Sequence, residues 1–217
     1  MDRTQWLAAA ALVAVVVGLI IGRMALDDQG STTVEAGTDA SGDAAAATDE
    51  AAAADTTIAT TTTIAEPERF GPAGDLVDLD GWLQTDAESF ADFDGQVRIV
   101  KFWTFACFNC KNTVPHLRGI YERWQPEGLE IIGVHAPEFD FEKDPEAIQQ
   151  AAIDQGIPWP IALDTRKRNF RDWQPGRRFW PRTFVVDQNG EIRYDHIGEG
   201  RYDELEATVA YLIENGA

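Results

Sequence analysis

Val97-Arg98-Ile99-Val100-Lys101-Phe102-Trp103, followed at once by Thr104-Phe105-Ala106 and then Cys107-Phe108-Asn109-Cys110, decides the fold. The first stretch reads as a buried strand. After it, Asn109 to Trp124 carries helical spacing through Val114, Leu117, Ile120, Tyr121 and Trp124. The cysteine pair therefore sits at a strand-to-helix junction. Cys107 and Cys110 are the only cysteines of the chain, at a spacing that closes a disulfide within one helical turn. So small a ring closes almost no loop, which makes it a poor staple and points to thiol redox chemistry instead. At a helix N-terminus the free N–H groups and the macrodipole favour an anion, so Cys107 is the expected nucleophile. Cys110, one turn into the helix, is the expected resolving partner that attacks the mixed disulfide.

Trp6 to Gly22 is an apolar run without charge, flanked by Arg3 and Arg23. At 1.5 Å per residue it spans about 25 Å, and a snorkelling Arg23 lets Met24 to Leu26 complete a crossing. The expectation is one N-terminal transmembrane helix, residues 1–26, left uncleaved because Arg23-Met24-Ala25 is a poor small-x-small signal. No Lys or Arg occurs between Met24 and Glu68, so the positive-inside rule places everything after Arg23 outside the cytoplasm. The protein is thus expected in the cell membrane, single-pass, with its C-terminal domain extracytoplasmic, where a disulfide persists. Residues 27–69 are acidic and Ala/Thr-rich and cannot bury a core; they read as a disordered linker. As a flexible coil of about 42 residues it would hold the folded part on the order of 35 Å from the anchor. The formal net charge of −19 argues against nucleic acid as a partner.

Residues 70–217 hold six of the seven tryptophans and are expected to form one domain with one core. The pattern predicts a short strand near Trp82, a helix around Glu88 to Phe93, the strand to Trp103 and the cysteine helix. A strand at Leu129 to Val134, a helix at Asp144 to Gln155, a strand at Ile161 to Leu163 and a helical turn at Asn169 to Trp173 follow. A strand at Thr183 to Asp187 turns through Asn189-Gly190 into Glu191 to Ile197, and a helix at Tyr202 to Glu214 ends the chain. This is an α/β order, a central mixed β-sheet flanked by helices.

That order, with the Cys-x-x-Cys after the second main strand and Pro181 before a late strand, resembles the thioredoxin-like fold, of the TlpA type. Phe102-Trp103-Thr104, Gly133-Val134-His135-Ala136-Pro137-Glu138-Phe139, Trp180-Pro181 and Gly198-Glu199-Gly200-Arg201-Tyr202 resemble the thioredoxin-like (redoxin) domain of DipZ proteins. The resemblance covers roughly Asp75 to Ile213. It implies a thiol-disulfide oxidoreductase acting on cysteine-bearing proteins, with a lean towards the reducing direction. DipZ proteins also carry an electron-conducting membrane domain; here the expectation is a single anchor and a separate membrane protein as electron donor. Pro115 matches the proline that bends the active-site helix. Pro181 matches the cis-proline that faces the disulfide and pairs with substrate, so Trp180 and Pro181 are the expected substrate-binding residues. Ala106 and Thr113 depart from the family, which usually has Trp before the first cysteine and often Glu three after the second.

Lys101 stands where thioredoxins bury an aspartate. Two readings are open for it: it stabilises a thiolate or exchanges the proton of Cys110, or it is a strand lysine paired with a carboxylate, for which Glu138 is the candidate. No cofactor is expected, and His116, His135 and His196 add no obvious zinc set to the pair. The alternatives are a copper(I)-handling module built from Cys107, Cys110 and His135, whose soft thiolates suit that ion, and a non-catalytic binding module.

Overall fold

The structure, a computed structural model, describes residues 65–216. The expected membrane helix and the linker as far as residue 64 lie outside the described residues. Among the described residues no helix is long and apolar enough to cross a membrane.

Strands β1 (Gly71–Pro72), β2 (Trp82–Leu83), β3 (Val97–Trp103), β4 (Leu129–His135), β5 (Ile161–Leu163), β6 (Arg182–Val186) and β7 (Glu191–Ile197) form one sheet in the order β1-β7-β6-β3-β4-β5-β2. β3 runs parallel to β4 and antiparallel to β6, so the sheet is mixed. Helices α1 (Phe108–Trp124), α2 (Pro145–Gln155), α3 (Arg168–Asp172) and α4 (Tyr202–Asn215) flank it. β3 is buried along its whole length, and its alternate side chains feed two cores. Val97, Ile99 and Trp103 pack with Val114 and Leu117 of α1, Ile148 of α2 and Val209 of α4. Val100 and Phe102 face the other way, onto Phe170, Trp173 and Phe184. Gly133 of β4 leaves the space that the first core needs, since a Cβ there would stand 2.9 Å from the Trp103 indole nitrogen and 3.1 Å from that of Trp159.

Three departures from the expected order have local causes. The residues expected to form a helix around Glu88 to Phe93 make only a 3₁₀ turn, Phe90–Phe93, held at its start by the Asp92 carboxylate, which accepts from the Ser89 and Glu88 amides. β1, a Gly-Pro pair on the sheet edge, carries no apolar alternation and was not expected. The strand expected to reach Asp187 stops at Val186, because Asp187 turns the hairpin: its carboxylate accepts from the Asn189 amide (3.0 Å) and the Glu191 amide (2.9 Å). Asp187 also pairs with Arg193, both buried, at 3.0 Å. Arg193 in turn holds Glu66 (3.1 Å) and the Pro67 carbonyl (2.9 Å), so contacts of the domain extend ahead of the expected start at residue 70.

Candidate active site

The register brings three strand ends together. Trp103 lies beside His135 of β4, and Phe102 beside Arg182 of β6, which sets Pro181 next to the end of β3. From this end Thr104-Phe105-Ala106 leads to the cysteines, beyond the C-terminal edge of the parallel strands, where α/β sheets place their sites.

Cys107 is the N-cap of α1, and its sulfur accepts from the Cys110 amide at 3.2 Å. It is half-buried, whereas Cys110 is 1% exposed and packs within the first core. The two are joined as a disulfide, with Cα atoms 5.2 Å apart. An N–H aimed at sulfur and a helix N-terminus both favour the thiolate of Cys107 when the pair is reduced. Pro115 lies inside α1, where its missing N–H leaves the Lys111 carbonyl without its helical partner.

Trp180–Pro181 is a cis peptide. The Pro181 carbonyl accepts from the Gly198 amide (2.8 Å), the Trp180 indole donates to the Ala136 carbonyl (2.9 Å), and the ring stacks on Phe170.

Lys101 is fully buried and its Nζ has no hydrogen-bond partner. The alternation of β3 puts it on the face of Ile99 and Trp103, the face that Cys110 also packs against. Burial draws its pKa down to about 7, with only the charge of Glu199 pushing back. The expected pair with Glu138 is not made. Glu138 is exposed, because Pro137 carries the chain out of the sheet and only its backbone amide turns inward.

The carboxylate that does turn inward is Glu142, which the sequence reading did not single out. It is 0% exposed. One oxygen accepts from the Thr104 hydroxyl and the Ala106 amide (3.0 Å); the other accepts from the amides of Glu138 (2.7 Å) and Phe139 (2.9 Å). Burial alone would raise its pKa, but these donors outweigh burial and hold it below the usual glutamate value. The only sequence signal is its place three residues after Phe139, opening the 3₁₀ turn Asp140–Lys143.

His135 is buried, and its Nε2 accepts from the Phe105 amide at 3.3 Å. Burial lowers its pKa to about 4 against the pull of Glu142, so the ring is neutral. The alternative copper site of Cys107, Cys110 and His135 finds no support: Nε2 of His135 accepts from the Phe105 amide, and among the described residues no group of three His, Cys, Asp or Glu side chains is placed to hold a metal ion.

Residues 78–195, which include both cysteines and Pro181, match the AhpC/TSA family. The chain is 37% identical over 155 residues to Protein DipZ of Mycobacterium tuberculosis, covering 70% of this chain but only 22% of DipZ. It is 23% identical over 142 residues to the thiol-disulfide oxidoreductase YkuV of Bacillus subtilis, covering 65% of this chain and 94% of YkuV. A thiol-disulfide isomerase from Corynebacterium glutamicum superposes with a TM-score of 0.55 at 24% identity, over 66% of this chain and 97% of that one, a likeness of fold. On these grounds the chain belongs to the AhpC/TSA family, as a thioredoxin-like domain of the thiol-disulfide oxidoreductase type.

Proposed function

We propose that this chain is a membrane-tethered, extracytoplasmic reductase of protein disulfides. The observation that carries the reading is the asymmetry of the pair, with Cys107 half-exposed on a helix N-terminus and Cys110 buried beneath it. In the reduced protein the Cys107 thiolate attacks one sulfur of a substrate disulfide, forming a mixed disulfide and releasing the other substrate sulfur as a thiolate. Cys110 loses its proton and attacks the Cys107 sulfur, which releases the second substrate thiolate and leaves the Cys107–Cys110 disulfide. Two electrons have passed to the substrate. Lys101, buried on the same face as Cys110 with a pKa near neutrality, is the group suited to take the Cys110 proton. Trp180 and Pro181, at the strand end beside the cysteine loop, form the edge on which a cysteine-bearing segment of the substrate lies.

The tether is read from the sequence: residues 1–26 as anchor, residues 27–69 as linker, with a separate membrane protein returning electrons to the pair. The reducing direction rests on the TlpA-type resemblance. Its test is the reduction potential of the couple, measured against glutathione. A value near that of thioredoxin, about −270 mV, supports a reductase; one near that of DsbA, about −120 mV, reverses the direction.

A further inference from the structure

We infer that Glu142 is a positioning residue of the redox pair: its buried, uncompensated carboxylate pins the loop before Cys107 and opposes thiolate formation there, biasing the couple towards giving up electrons. The inference rests on the oxidoreductase reading and explains its direction.

The first half is geometric. Glu142 ties the Thr104 hydroxyl and Ala106 amide to the amides of Glu138 and Phe139, so two loops from different strand ends are held by one side chain. Cys107 follows Ala106 directly, and its backbone and side-chain bonds leave the sulfur within about 10 Å of that carboxylate. Every donor to Glu142 is neutral, and among the described residues no Lys or Arg pairs with it. Its charge is therefore not cancelled at the site.

The second half is the balance of charges around the loop. From β4 comes His135, neutral; from β3 comes Lys101, buried and unpartnered on the sheet face that Cys110 also packs against. Glu199 lies exposed in the loop after β7 and acts on Lys101. Lys111 of α1 is solvated, and Lys143 is exposed and bound to Asp140. Against the helix N-terminus, which favours the Cys107 thiolate, the one buried anion tied to its loop among the described residues is Glu142. A unit charge at that range inside a protein moves a thiol pKa by on the order of one unit, upward for a like charge. A thiolate that is harder to form destabilises the dithiol relative to the disulfide, which makes the couple more reducing.

Glu142→Gln keeps the shape and one acceptor oxygen while removing the charge. In the full chain, the Cys107 thiol, titrated by alkylation rate against pH, should fall by about one unit, and the equilibrium with glutathione should move up to about tenfold towards the dithiol. A folded Glu142→Gln protein with unchanged titration and unchanged equilibrium overturns the inference. Should that variant not fold, the side-chain carboxyl ¹³C signal of Glu142 in the unaltered protein decides. Coupling is reciprocal, so the signal must respond at the pH where Cys107 ionises, and a flat signal overturns the inference equally. Alkylation needs no substrate turnover, so a protein that reduces no disulfide would defeat the functional reading without touching this one.

Discussion

Replacing Lys101 by methionine should stabilise the oxidised domain, and by more at pH 6.5 than at pH 9.5. The lysine is fully buried, unpartnered and flanked across the sheet by Gly133 and Thr183, which bring no charge to it. Burial lowers its pKa from 10.5 to about 7. Between those values the unfolded chain holds a proton that the folded chain has released, so wild-type stability rises with pH across that window and is lowest below it. From pH 7 to 9.5 the recovery is about 3 kcal/mol, at ~1.4 kcal/mol per unit. Methionine has a similar volume and no charge to lose, so the advantage of the variant should shrink by that amount over the same range. At about 2–4 °C per kcal/mol for a domain of this size, the gap between the two melting temperatures should narrow by about 6–12 °C. Thermal melts of both proteins at pH 6.5, 8 and 9.5, with the disulfide intact, read this directly. His135, the half-buried Tyr121 and the buried Tyr194 titrate alike in both proteins and cancel in the difference. A gap that stays flat, or a methionine variant less stable at pH 6.5, refutes the reasoning. In the reduced protein the same substitution should raise the titration of the Cys110 thiol if Lys101 takes its proton.

Cys110→Ser should accumulate mixed disulfides with target proteins on non-reducing gels while Cys107→Ser loses all turnover; normal turnover in the first variant contradicts the assignment. His135, buried and held neutral with a pKa near 4, is charged more readily in the unfolded chain, so about 3 kcal/mol of stability should be lost as pH falls from 6.5 to 4. Urea unfolding across that range should show the limb in wild type and a flattened one in His135→Gln. Asp187→Ala strands the buried Arg193 and removes the hairpin cap, which should cost about 3–5 kcal/mol in urea unfolding, and a loss under about 1 kcal/mol would contradict it. The full chain should stay in the membrane pellet through a high-salt wash, whereas a chain beginning at Ala65 should be soluble and reduce disulfides at the same rate; release of the full chain by salt would count against the anchor.

The strands β3, β5 and β7 were legible to the residue, because apolar runs bounded by turn residues leave little choice of end. The cysteine pair was legible for a different reason: its chemistry is local, carried by spacing and by the helix that begins there. What escaped was the chemistry made by distant parts. Glu142 lies 36 residues from the amide of Ala106 that it accepts, in a run of Glu, Phe, Asp and Lys that looks like solvated surface. Glu138, nearer the end of β4, looked the better partner for Lys101, yet the bend at Pro137 turns its side chain to solvent while the 3₁₀ turn folds Glu142 back. Which acidic side chain goes inside was decided by a single turn, which no periodicity records.

The grip of Arg193 on Glu66 and Pro67 fixes more than the start of the domain. Gly71 pairs with Ile192, which lies opposite Val186, itself across from Arg98 at the start of β3, while the cysteines follow beyond its last residue. The polypeptide therefore arrives at one pole of the sheet and the sulfurs lie at the other, about 20 Å away along seven residues of strand. Anything attached where the described chain enters the sheet is therefore set apart from the sulfurs by the full length of β3, which leaves the Cys107 face open to partners that approach from the far pole.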